Sequence, residues 1–289
     1  VRQGSLAALG LALLASGCAG GDGFRTGTLP PAARYVAMGS SFAAGVGIAA
    51  PQPGPALRCG RTRGNYATLL ASRRELALVD VSCSGATTEH LLRPWQELPA
   101  QLDAVTTDTR LVTITVGGND LRYAAWMAAA GCRAGAVAGP CRSAAPPTEP
   151  EYRALEANLG AIAAEVRRRA PAARLVFVPY VALVSAKPCA LESISRDDAA
   201  VAQGTARRLA AATHAVARAH RADVLDVDSV SRTHTPCAPQ PWSMGMPAGY
   251  QLSQGVAWHP NAAGHVAIAS MLDELLNHRP PRDGSGRRP

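Results

Sequence analysis

Leu111-Val112-Thr113-Ile114-Thr115-Val116, closed by Gly117-Gly118-Asn119-Asp120, is the stretch whose reading decides the fold. The run is almost continuously apolar and short, and it ends on a pair of glycines. A strand without a polar face is buried on both sides, as strands of parallel sheets are. Similar runs lie on either side of it. Tyr35 to Met38 ends at Gly39 and reads as a first strand, and Leu78 to Cys83 reads as a second, stopped by Ser84-Gly85. Arg174 to Pro179 and Ala222 to Val227 read as a fourth and a fifth. Between the strands the apolar spacing turns helical: Asn65 to Leu76, part of Pro94 to Val105, a strongly amphipathic Glu149 to Ala170, and Arg196 to His220. Pro260 to Leu276 is the last helix, with proline at its first turn as helix starts prefer. Strands alternating with helices imply an α/β fold: a three-layer α/β/α, flavodoxin-like arrangement with a five-stranded parallel sheet in the order 2-1-3-4-5. Residues 43–63 and 229–257 read as long loops, and 131–149 as a disulfide-tied surface excursion.

The chain has 289 residues, 47% of them hydrophobic and 17% charged, a globular composition with room for one large domain. That domain is expected over residues 32–278, and a monomer is the expected state. The net charge of +8 invites a nucleic-acid reading. The arginines are scattered, however, with local clusters only at Arg167-Arg168-Arg169 and in the tail from Arg279. No basic run is interleaved with aromatics, so no nucleic-acid partner is expected. No zinc-ligand spacing, phosphate loop or dinucleotide fingerprint occurs, and no metal or cofactor is expected.

Arg2 precedes an apolar run from Leu6 to Ala15, and Ser16-Gly17-Cys18 follows. This is the pattern of a secretory signal peptide over residues 1–18, too short to span a membrane. Small residues directly before Cys18 are also compatible with a lipobox, which would make Cys18 a lipidation site and a means of membrane attachment. An ordinary signal cleaved nearby is the alternative. The expected product is secreted, or anchored outside the membrane as a lipoprotein. Residues 19–31 read as a linker and 279–289 as a disordered tail. Apart from Cys18, six cysteines remain, and an even set in an exported chain suggests disulfides. Fifteen pairings are possible for six cysteines. Sequential pairing is favoured here: Cys59–Cys83, Cys132–Cys141 and Cys189–Cys237.

Active sites of such sheets lie beyond the carboxyl ends of the strands. Ser41, Gly85 and Asn119 follow the first, second and third strands, which the expected order makes neighbours. His259 arrives from the loop before the last helix. Acyl transfer needs this set. A serine hydroxyl is a poor nucleophile until a base takes its proton, and the resulting oxyanion must meet preorganised donors. The backbone N–H groups of Ser41 and Gly85 and the side-chain amide of Asn119 can supply them. Each piece alone also has a plain structural reading: a serine after a strand caps a helix, Gly-Gly-Asn-Asp makes a turn, and most histidines are structural. His214, His220 and His265 are read in that way, and Asp120 as a brace of its turn. Convergence of four such pieces carries the functional reading.

These pieces resemble the sequence blocks of SGNH (GDSL-like) hydrolases. Gly39-Ser40-Ser41-Phe42 is similar to the first block, Ser84-Gly85-Ala86 to the second, and Gly117-Gly118-Asn119-Asp120 to the third. His259-Pro260-Asn261-Ala262-Ala263-Gly264-His265 is similar to the block around the catalytic histidine. Cys59, the Arg61 to Tyr66 region and the six cysteines resemble the secreted actinobacterial esterases and lipases. The resemblance implies the SGNH hydrolase fold and an ester-cleaving enzyme. It also implies Ser41 as nucleophile, Gly85 and Asn119 completing the oxyanion hole, and His259 as base. The chain departs from the pattern twice. Ser40 replaces an aspartate and offers a second candidate nucleophile. Val256 stands where the family usually has the aspartate that orients the histidine. Some members of the secreted branch use a main-chain carbonyl instead, so the carbonyl of Val256 or a neighbour is expected to receive His259 Nδ1–H, with distant Asp228 as the alternative. Phe42, Trp95, Trp126, Trp242, Met244, Met246 and Trp258 are candidates for an acyl pocket. The expected substrates are lipid or short acyl esters. Deacetylation of cell-wall sugars and a catalytically dead envelope binding protein are the competing readings.

Overall fold

The computed structural model describes residues 29–52 and 57–278. Residues 1–28, 53–56 and 279–289 lie outside the described residues, and with them the expected signal peptide, Cys18, most of the expected linker and the expected tail. Five parallel strands form one sheet: β1 Arg34–Gly39, β2 Ala77–Asp80, β3 Thr109–Thr115, β4 Arg174–Phe177 and β5 Asp223–Val224. Their order is β2-β1-β3-β4-β5, as the alternation of elements predicts. β1 and β3 lie between two neighbours each. Tyr35, Val36, Ala37, Met38, Leu111, Val112 and Ile114 on them are all buried, which is why these strands carry no polar face.

The helices are α1 Ser41–Ala44, α2 Tyr66–Arg74, α3 Thr88–Leu92, α4 Tyr123–Arg133, α5 Glu149–Arg169, α6 Arg196–Ala219, α7 Val227–Val230 and α8 Ala262–Asn277. α2 packs against α8, whereas α5 packs against α3 and α6. Right-handed crossovers on either side of β1 require this division into two covering layers. α5 begins where its sequence dictates. Thr148 and Glu151 form a reciprocal capping box, and Pro150 occupies the first turn. α8 begins two residues later than Pro260, because the Asn261 side chain accepts from Gly264 N at 2.9 Å and so caps the helix.

Several elements differ from expectation. β5 spans two residues rather than Ala222 to Val227: it is an edge strand paired only to β4, and Asp226 already leads into α7. α3 and α4 were not expected. α4 contains Tyr123, Trp126, Met127 and Ala130 at helical spacing, all buried, and Cys132 lies in its last turn rather than in the excursion. Within Pro94 to Val105 the helical part is a single 3-10 turn, Gln101–Ala104. The loop 229–257 holds the end of α7 and the turns Ser231–Thr233 and Leu252–Gln254. Disulfides join Cys59 to Cys83, Cys132 to Cys141 and Cys189 to Cys237, the sequential pairing.

Candidate active site

Gly39 and Thr115 are register partners at the carboxyl ends of adjacent strands. The residues that follow them, Ser41 and Asn119, therefore emerge side by side. Gly39 adopts φ +142°, and a Cβ there would lie 2.2 Å from the Thr115 carbonyl oxygen. Only glycine lets β1 turn so tightly against β3. The buried Gln101 side chain grips both polar groups of Gly39: its Oε1 accepts the N–H at 2.7 Å, and its Nε2 donates to the carbonyl at 3.0 Å.

This turn sends the two adjacent serines in different directions. Ser40 is fully buried, and its hydroxyl pairs with the Tyr180 hydroxyl at 2.9 Å. Ser41 opens α1, and its Oγ lies 2.9 Å from His259 Nε2. The hydroxyl in contact with a base thus belongs to Ser41, not Ser40.

His259 sits in a backbone ladder. Trp258 N donates to Met244 O and Met244 N to His259 O, both at 2.9 Å. Its Nδ1 lies 2.9 Å from the carbonyl oxygen of Ala257. A carbonyl can only accept, so Nδ1 carries the proton and Nε2 is the free base facing Ser41. The expected acceptor was the carbonyl of Val256 or a neighbour, and it is not Val256 but the adjacent Ala257. Trp258 takes a left-handed φ of +57°, which folds the chain so that the Ala257 carbonyl curls back onto the ring. Val256 points elsewhere, towards Gly47. Ala257 is itself held: its N–H donates to the Tyr250 hydroxyl at 3.0 Å, and that hydroxyl donates to Gly255 O at 2.5 Å. Asp228, the alternative acid, is engaged with His214 Nε2 at 3.1 Å. Burial pushes the His259 pKa below the usual histidine value, and the Ala257 carbonyl opposes that shift.

The groups expected to donate to an oxyanion lie on the turns that follow β1, β2 and β3. Asn119 Nδ2 donates one hydrogen to Ala86 O at 2.9 Å, which fixes the amide and leaves its second hydrogen for the cleft that Asn119 and Ser41 line together. Gly85 adopts φ +83°. Neither its N–H nor that of Ser41 donates to a protein acceptor among the described residues. The Cys59–Cys83 bridge and the bond from Ser84 N to Cys59 O tie down the turn that carries Gly85. Asp120 accepts from both the N–H and the hydroxyl of Thr88, and so locks the Asn119 turn to α3. His265 is buried and structural. Its Nδ1 accepts from Tyr66 N at 3.1 Å, and burial lowers its pKa to about 3.

The cleft is walled by Phe42, Gly118, Tyr123, Ala124, Tyr180 and Leu183 beside Ser41 and Asn119. Phe42 lies against the rings of both Tyr180 and His259, with centroids at 4.1 and 4.9 Å. Tyr123, Tyr180 and Leu183 are also walls of a larger groove of about 210 Å³ that runs over α6. Of the residues expected at an acyl pocket, only Phe42 reaches either space. Trp126, Met246 and Trp258 are core, Trp95 stacks on His90, and Trp242 stacks on His234. Met244 serves through its backbone, in the ladder that holds His259.

Three contributors are absent from the sequence-based expectations: Gln101, Tyr180 and Tyr250. Tyr180 had a signal, since it follows the carboxyl end of β4, where site residues gather. Gln101 and Tyr250 act on backbone groups from distant loops, and no motif announces them.

Comparison with known proteins gives the family. Residues 37–267 match the GDSL-like Lipase/Acylhydrolase family. The chain is 32% identical over 264 residues to Lipase 2 of Streptomyces coelicolor, covering 85% of this chain and 86% of that protein. The extracellular lipase of Streptomyces rimosus superposes with a TM-score of 0.66 at 26% identity, over 84% of this chain and 99% of that one. Phospholipase A1 from Streptomyces albidoflavus NA297 superposes with the same TM-score and coverage at 23% identity, a likeness of fold. The family match takes in the turns that carry Ser41, Gly85, Asn119 and His259 alike, and the chain belongs to the GDSL-like lipase/acylhydrolase family, as a carboxylic ester hydrolase.

Proposed function

We propose that the protein cleaves esters of apolar acyl chains through an acyl-enzyme on Ser41, with His259 as its base. Ser41 Oγ attacks the ester carbonyl while His259 Nε2 takes its proton, and Nδ1–H stays on the Ala257 carbonyl. The oxyanion is received by the N–H groups of Ser41 and Gly85 and by Asn119 Nδ2. His259 then protonates the departing alcohol. A water molecule, deprotonated by the same nitrogen, releases the acid and restores Ser41.

The observation that carries this reading is the 2.9 Å contact between Ser41 Oγ and His259 Nε2 in a cleft shared with Asn119. The walls of Phe42, Tyr123, Tyr180 and Leu183 favour an acyl chain over a sugar. The Ala257 contact favours an active enzyme over an inactive binding protein, because it supplies the orientation that the absent aspartate would give. The three disulfides and the extracellular relative favour a secreted protein.

A fluorophosphonate probe and a series of p-nitrophenyl esters test the reading together. The wild type should be labelled and should turn over the esters, and Ser41→Ala should do neither while remaining folded. An unlabelled wild type, or a labelled Ser41→Ala, overturns it.

A further inference from the structure

The groove beside the catalytic cleft has a floor of small apolar side chains and a cationic rim. Ala206 and Ala210 of α6 line it together with Leu183 and Val184. The polar groups within it are mostly committed. Gln203 Nε2 donates to Ser185 O, Thr235 Oγ1 accepts from the Ser185 hydroxyl, and Asp228 meets His214. Arg207 and Arg232 are not. Both line the groove, both are exposed, and neither has an ion pair or hydrogen bond among the described residues. Other arginines nearby are occupied: Arg208 pairs with Glu149, and Arg133 with Asp198. Two free guanidiniums on an apolar groove suit a ligand with an alkyl body and an anionic end. Guanidinium also offers the forked donors that phosphate and carboxylate oxygens accept.

We infer that this groove is a specificity subsite for esters that carry a phosphate or carboxylate group, with Arg207 and Arg232 receiving the anion. The inference rests on the hydrolase reading of Ser41, because the groove shares the walls Tyr123, Tyr180 and Leu183 with the cleft of that serine. Asp228 is also in the lining, hydrogen-bonded to His214, so two arginines against one carboxylate leave the groove a formal charge of +1.

The test compares matched esters as monomers in solution. One arm sets dihexanoylglycerol phosphate against dihexanoylglycerol. The other sets the p-nitrophenyl monoester of adipic acid against p-nitrophenyl hexanoate. The readout is the ratio of kcat/KM for the charged ester over its neutral partner. An exposed charge pair contributes up to about a factor of five. In Arg207→Gln/Arg232→Gln the ratio should therefore fall roughly 2- to 25-fold in at least one arm. The arm that responds names the anion. Arg153→Gln/Arg218→Gln removes the same charge from exposed positions outside the groove and should keep the wild-type ratio. An unchanged ratio in the groove variant, or an equal fall in the control, overturns the subsite. Failure of the hydrolase reading looks different, since no ester, charged or neutral, would then be turned over at Ser41.

Discussion

Tyr250→Phe removes one oxygen atom and should slow the enzyme by about an order of magnitude. The Tyr250 hydroxyl accepts from Ala257 N at 3.0 Å and donates to Gly255 O at 2.5 Å, and the Ala257 carbonyl is the group that receives His259 Nδ1–H. Phenylalanine keeps the ring packing and leaves two backbone groups without their partner. Each such bond contributes about 0.5–1.5 kcal/mol net. Residues 255–257 are half-buried, so water can replace part of the loss. The lower half of the range for two bonds, about 1–2 kcal/mol, corresponds to a roughly 5- to 30-fold fall in rate. The loss should appear in kcat with KM held within about twofold, because the orientation of the imidazole matters most as it takes the proton. A second readout separates positioning from general loosening. The Ala257 carbonyl holds the His259 pKa up against burial, so weakening that contact should move the acid limb of the kcat/KM profile to lower pH. Steady-state hydrolysis of p-nitrophenyl butyrate across pH, with circular dichroism to confirm folding, measures both. A folded variant with wild-type kcat and an unmoved acid limb would refute the claim that the Tyr250 hydroxyl positions the base.

Asn119→Ala should lower kcat by roughly 100- to 1,000-fold, the usual cost of one oxyanion donor; an effect on KM alone would remove Asn119 from that role. His259 must be neutral to act, and burial favours its neutral form, so kcat/KM should hold as pH falls through the ordinary histidine range and decline only below about 6.5. A midpoint above that value contradicts the assignment. His265 makes stability depend on pH in the same range: its folded pKa of about 3 lies below the unfolded value, so under acid conditions the unfolded chain binds a proton that the native chain does not. Urea unfolding between pH 6.5 and 4 should show stability falling by up to about 1.4 kcal/mol per unit from this group, and His265→Gln should flatten the slope.

The sheet was legible because its strands are written in a two-sided alphabet. Leu111 to Val116 and Tyr35 to Met38 are apolar on both faces, and only a strand covered by helices above and below can bury such a run. The strand order then placed the ends of β1 and β3 together, and with them Ser41 and Asn119. Less of the periphery was legible. β5 is an edge strand of two residues, and Leu225 and Val227 after it are buried in the core outside the strand. α4 is apolar on most of its faces, so its amphipathic signal is faint although Tyr123, Trp126, Met127 and Ala130 keep helical spacing.

The orienter of the base marks where reading side chains stops. An aspartate at position 256 would have been visible as a letter, whereas the carbonyl of Ala257 is a group that every residue owns. What makes it special is conformation: the left-handed Trp258 that turns it inward and the Tyr250 hydroxyl that pins it. The two solutions also differ in electrostatics. A carboxylate would stabilise the imidazolium by a full charge, whereas a carbonyl offers only a dipole. In the proposed mechanism burial already disfavours the charged ring, so proton transfer to His259 is harder and more of the transition-state stabilisation falls to the proposed oxyanion donors of Ser41, Gly85 and Asn119. The turns around Gly39, Gly85 and Asn119 are braced by Gln101, the Cys59–Cys83 bridge and Asp120, and donors set in advance in this way are what the proposed mechanism needs most when its base is weak.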